Sequence, residues 1–122
     1  MTREFADDKP IFVQIAERIE DCILSGAFTE ESQIPSTTEI AVSDKINPAT
    51  ALKGINLLVE EGIVYKRRGL GMFVSTGAVR KVKDKRKEQF YDRYIIGLAE
   101  EAKKLSLTKE EVMALVERGY QR

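Results

Sequence analysis

Histidine is absent from this 122-residue chain and cysteine occurs once. The common nucleophile–base pairs and the His- or Cys-rich zinc sites are therefore unavailable, which argues against an enzyme and leaves no cofactor or metal to expect. Cys22 has no partner for an internal disulfide. Set between Asp21 and Ile23 in a helical pattern, it reads as a buried or half-buried thiol. No apolar run is long enough to cross a bilayer, and the opening MTREFADDKP carries acids where a signal peptide needs a basic and then an apolar stretch. The expectation is a soluble, cytoplasmic protein without a membrane partner. Net charge is absent as well, with 20 Lys/Arg against 20 Asp/Glu.

That neutrality hides a sorting. Residues 1 to 44 hold 3 basic against 10 acidic side chains, residues 45 to 93 hold 12 against 5, and residues 94 to 122 hold 5 of each. The basic middle, with YKRRG and RKVKDKRK, points to a surface that faces a polyanion. RKVKDKRK itself would add nonspecific phosphate contacts or solubilise the helix it opens. At 43% hydrophobic residues, the chain has material for one modest core and an appendage.

The apolar spacing gives the order of elements. Pro10 suits a first helical position, Ile11, Ile15, Ile19 and Ile23 recur every fourth residue, and Gly26 stands at a C-cap, predicting a helix over residues 10 to 25. Ser36 and Glu39 form a capping box that opens a short helix burying Ile40 and Ala41. Asn47 is a strong N-cap and Pro48 suits N1, so a third helix begins there and buries Ala51, Ile55, Leu58 and Val59 before Gly62 closes it. IVYKRR and GMFVS flank GLG as a two-stranded hairpin with glycines at its tip. Beyond Ala78 the steps are helical again, and Thr108 with Glu111 opens a last helix. The fold class is mostly α (α+β). The expected division is a winged helix-turn-helix, expected to bind DNA, over residues 1 to 76, and a helical tail, expected to dimerise, over residues 77 to 122.

A short helix, a tight turn through VSDKIN and a second helix have the dimensions of a helix-turn-helix, whose second helix enters the major groove. The exposed first-turn side chains would be Asn47, Ala49, Thr50 and Lys53. Asn47 serves equally as a plain cap. Lys66, Arg67 and Arg68 lead into Gly69, Leu70 and Gly71, a basic wing suited to a neighbouring backbone or minor groove. The tail exposes a wide apolar stripe that a second copy would bury, through Phe90, Tyr94, Leu98, Leu105, Val112, Leu115 and Val116. Phe90, Tyr91 and Tyr94 fit a dimer core better than an effector pocket.

PIFVQIAERIEDCILSG, IPSTTEIA, INPATALKGINLLVEEGIV and RRGLGMFV, in that order, resemble the GntR type of bacterial transcription regulator, and the short two-helix tail resembles its YtrA-like subgroup. The likeness is close over residues 8 to 76. It implies a sequence-specific DNA-binding regulator, a repressor, that binds a double-stranded inverted-repeat operator as a homodimer, and it leaves room for a small-molecule effector. Carried over by residue, the family's contacts fall on Ser36 and Thr38, on Asn47, Ala49, Thr50 and Lys53, and on Arg68, Gly69 and Gly71. Thr38 stands where the family usually has arginine, Ala49 where the subgroup often has a polar residue, and Leu52 where a polar or basic side chain is common. The competing reading is a winged-helix protein-interaction module, against which NPAT and Lys53 on an exposed first turn argue. GLG lacks a Walker lysine and a strand-to-helix turn, so it is no nucleotide loop.

Overall fold

The computed structural model describes residues 5–122. The first four residues of the acidic opening stretch lie outside the described residues. Two compact units part at Asp84 and Lys85, inside a helix.

In the first unit, α1 (Ile11–Ser25), α2 (Thr37–Asp44) and α3 (Pro48–Glu60) precede a hairpin of β1 (Val64–Arg67) and β2 (Gly71–Val74), and α4 (Ala78–Phe90) begins here. Pro10 is the N-cap of α1 rather than its first helical residue. Its backbone is extended, and its carbonyl accepts from the N–H groups of Val13 and Gln14. Gly26 ends α1 in the left-handed conformation. Ile15, Ile19 and Ile23 are fully buried, whereas Ile11, in the first turn, is half-exposed.

Helix α3 carries Ala51, Gly54, Ile55 and Leu58 into the core. Val59, expected inside, is 38% exposed. It follows Leu58 by about 100° round the helix, which takes it off the buried stripe. Gly54 has the role that the sequence pattern did not show. A Cβ there would lie 2.7 Å from the Phe12 carbonyl oxygen and 2.9 Å from Ile15 Cγ2. Only glycine lets α1 and α3 approach this closely.

The hairpin pairs Val64 with Val74 and Arg67 with Gly71. The segment before α2 adds a third rung: Gln33 bridges Phe73, and Ile34 N–H donates to the Met72 carbonyl at 2.9 Å. Ala78 and Val82 belong to the same core, so the first turns of α4 pack as part of this unit.

The second unit holds the end of α4, a π-helical turn (Tyr91–Ile95), α5 (Ile96–Lys104) and α6 (Lys109–Tyr120). The capping box of Thr108 and Glu111 opens α6 as the sequence reads. Ala102 is the one buried hydrophobic residue of this unit. No helix among the described residues is long and apolar enough to cross a membrane.

Candidate nucleic-acid interface

Helix α2 starts at the box in which Ser36 Oγ accepts from Glu39 N–H at 3.0 Å and Glu39 Oε1 accepts from Ser36 N–H at 2.9 Å. Those two bonds, the backbone one first, hold the Glu39 carboxyl below its ordinary pKa. Ser36 and Thr38 are exposed at this end. At the other end, the buried side chain of Asp44 faces Arg18 of α1 at 4.0 Å, and the Arg18 guanidinium lies over the Phe5 ring. This pair ties the C-terminus of α2 to α1.

Lys45 adopts a left-handed conformation after α2, and Asn47 begins α3. Asn47 Oδ1 accepts from Ala49 N–H at 2.7 Å, so the capping role read from the sequence is met. Ala49 is exposed and Thr50 half-buried. Lys53 is exposed, with Nζ 4.1 Å from the centre of the Phe12 ring. Asn56 was missed in the sequence reading, although it stands three residues past Lys53 and seven past Ala49. That helical spacing puts it on the same exposed face.

In the wing, Gly69 and Gly71 have φ of 78° and 120°, values an L side chain rarely adopts. Arg68 and Leu70 are exposed at the tip, and Arg67 lies 4.7 Å over the Phe73 ring. Gln33 braces the tip, donating from Nε2 to the Leu70 carbonyl at 2.7 Å. Nothing in the short run SQI marked this bracing, because it depends on pairing with a strand about 40 residues away. Glu31 clamps the wing's base, accepting from the Tyr65 and Thr76 hydroxyls at 2.5 Å each. The Thr76 bond, followed by the Tyr65 bond, lowers the Glu31 pKa, and donation to the Glu31 carboxylate raises that of Tyr65. Glu30 beside it accepts from Gly77 and Val79 N–H, satisfying the open donors at the start of α4.

The basic run on α4 is partly engaged inside the protein. Lys81 Nζ donates to the Gly62 carbonyl and Arg80 pairs with Asp84 at 3.2 Å, while Lys83 and Lys87 are exposed. Among the described residues no group of three His, Cys, Asp or Glu could hold a metal ion. A cleft of about 490 Å³ between α1 and α2 is lined by Cys22, Phe28 and Ser43 among others. Cys22 is half-buried, as read, and burial pushes its thiol pKa up.

In the second unit, Leu98, Leu105, Val112, Leu115 and Val116 line one apolar groove of about 360 Å³ between α5 and α6. Phe90 and Tyr94 pair with each other, ring centres 5.3 Å apart. The tail residues read from the sequence thus form a groove and an aromatic pair, most of them exposed.

Residues 12–74 match the family model described as bacterial regulatory proteins, gntR family. The chain belongs to the gntR family. It is similar to the uncharacterized HTH-type transcriptional regulator YhcF of Bacillus subtilis (strain 168), 32% identical with 93% of this chain and 92% of that one covered. It is also similar to the HTH-type transcriptional repressor YtrA of the same organism, 29% identical over 90% and 89%. Among solved structures, a GntR family transcriptional regulator from Listeria monocytogenes superposes with a TM-score of 0.76, at 28% identity, covering 93% of this chain and 98% of that chain. The AraR DNA-binding domain in complex with operator ORX1 superposes with a TM-score of 0.54, at 26% identity, covering 62% and 92%. As a gntR-family member the chain is a DNA-binding transcription regulator, of a family of regulators rather than enzymes.

Proposed function

We propose that this regulator is a repressor that binds an inverted-repeat operator as a homodimer, with α3 in the major groove and the wing on the adjoining backbone or minor groove. The observation that carries the reading is the pairing of two features in one unit. One is a helix start whose exposed residues Asn47, Ala49 and Lys53 face solvent. The other is a glycine-tipped basic turn braced by the Gln33 hydrogen bond to the Leu70 carbonyl. Ser36, Thr38, Thr50, Arg67, Arg68, Gly69 and Gly71 complete the contact set. The operator-bound AraR domain supports the mode of docking, and the repressor name of YtrA supports the sign of regulation. In this reading no catalytic step, metal or cofactor takes part, and the site of action is the cytoplasm.

The homodimer rests on the second unit. Its exposed apolar groove and its single buried hydrophobic residue leave it with little core of its own, and a patch of that kind marks a contact surface. In this proposal the DNA-binding domain ends at residue 76 and the tail begins at 77, with the first turns of α4, through Ala78 and Val82, packed on the DNA-binding unit before the compact units part at Asp84 and Lys85. Two recognition helices in successive major grooves would stand about 34 Å apart or a multiple of that distance.

Selection of the full chain against a random duplex library at two salt concentrations tests the proposal. Enrichment of an inverted repeat, with affinity falling steeply as salt rises, is the expected result. Weak salt-sensitive binding without sequence enrichment would overturn it in favour of a protein-interaction module.

A further inference from the structure

The exposed face of the recognition helix is apolar at its centre. Ala49, Leu52, Lys53 and Asn56 are all exposed on α3, and Leu52 keeps 47% of its surface in water. Lys53 is the only basic residue in the helix, and its ammonium sits against the Phe12 ring on the α1 side, 4.1 Å from the ring centre. The middle of the face is therefore left to the methyl of Ala49, the isobutyl group of Leu52 and the carboxamide of Asn56.

Leu52 adds nothing to the core of the first unit, so an isobutyl group at this position gives no packing return in the free protein. In a major groove the situation changes, because thymine presents a C5 methyl there and no other base offers an apolar group. Residues 49, 52 and 56 recur at three and four steps and so form one line along the helix. At about 1.5 Å per residue that line is about 10 Å long, the span of roughly three base pairs. Asparagine at its far end matches the N6 and N7 edge of adenine.

We infer that Leu52, supported by Ala49, is a specificity-determining residue that reads thymine methyl groups, so each operator half-site carries A·T pairs under the middle of α3. The inference rests on the operator-binding reading and deepens it.

The test uses the full chain and the duplex that selection yields. Each thymine of a half-site is replaced in turn by deoxyuridine, which removes the methyl and leaves the hydrogen-bonding edge intact. Loss of one buried methyl contact should weaken binding about fourfold. The wild type is expected to show that loss at one or two positions, and Leu52→Ala to bind the thymine and uracil duplexes alike at those positions. Leu52→Arg should shift the enriched base there from thymine toward guanine. A wild type indifferent to uracil throughout, or a Leu52→Ala protein that discriminates as well as the wild type, would overturn the assignment while leaving operator binding in place. Selection that enriches no sequence would overturn the operator reading and this inference together.

Discussion

At the residue scale, two local arrangements help hold the first unit together. Gly54 lets α1 and α3 touch, with the Phe12 carbonyl 2.7 Å from where a Cβ would lie. Backbone cannot swing aside like a flexible side chain, so Gly54→Ala should cost on the order of 1–3 kcal/mol of stability, measured by denaturant unfolding. Nothing in LKGIN announces this, since a lone glycine in a helical pattern reads as a weak spot until the crossing helix is in place. Glu31 is the second. Its pKa is lowered by the Thr76 and Tyr65 hydroxyls, so the carboxylate stabilises the fold above the ordinary glutamate pKa of about 4.3 and that contribution is lost as pH falls through the lower, folded value. Glu31→Gln should therefore flatten the acid limb of the stability profile, and a variant whose melting temperature falls with acid as steeply as the wild type's would contradict the assignment.

At the element scale, local capping signals were the most legible feature. Ser36 with Glu39, Asn47 with Pro48 and Thr108 with Glu111 begin three helices where the sequence places them, because each satisfies backbone donors within four residues and needs no tertiary partner. Asn47 can be tested for its two roles. Asn47→Ala should cost about 1 kcal/mol by losing the cap, whereas Asn47→Ser keeps it, so any loss of DNA affinity in the serine variant reports a lost contact. The hairpin was legible from its glycines, but its bracing was not: Gln33, Glu30 and Glu31 act across long sequence separations. Val59 was misplaced because adjacent apolar residues at the end of a helix cannot all share its buried stripe. For the wing, Arg68→Ala should weaken binding to most sequences and lower the salt slope by about one, and an unchanged slope would remove Arg68 from the phosphate contacts.

At the scale of the whole molecule, composition excluded more than it specified. The lack of histidine removes the common catalytic pairs, and the sorted charges concentrate basic residues in the middle of the chain, where the helix start and the wing lie. Operator sequence is not legible in the same way, because it depends on which exposed side chains of α3 meet base edges. The second unit poses the converse case: the groove of Leu98, Leu105, Val112, Leu115 and Val116 is apolar and open, and under the homodimer proposal a second copy covers it. The most direct measurement is the number of chains bound per duplex, by native mass or sedimentation, for a selected inverted repeat and for its isolated half. A dimeric operator-binding regulator places two chains on the full repeat, bound far more tightly than one chain on the half-site. A full repeat occupied by single chains, each bound no more tightly than on the half-site, would contradict it.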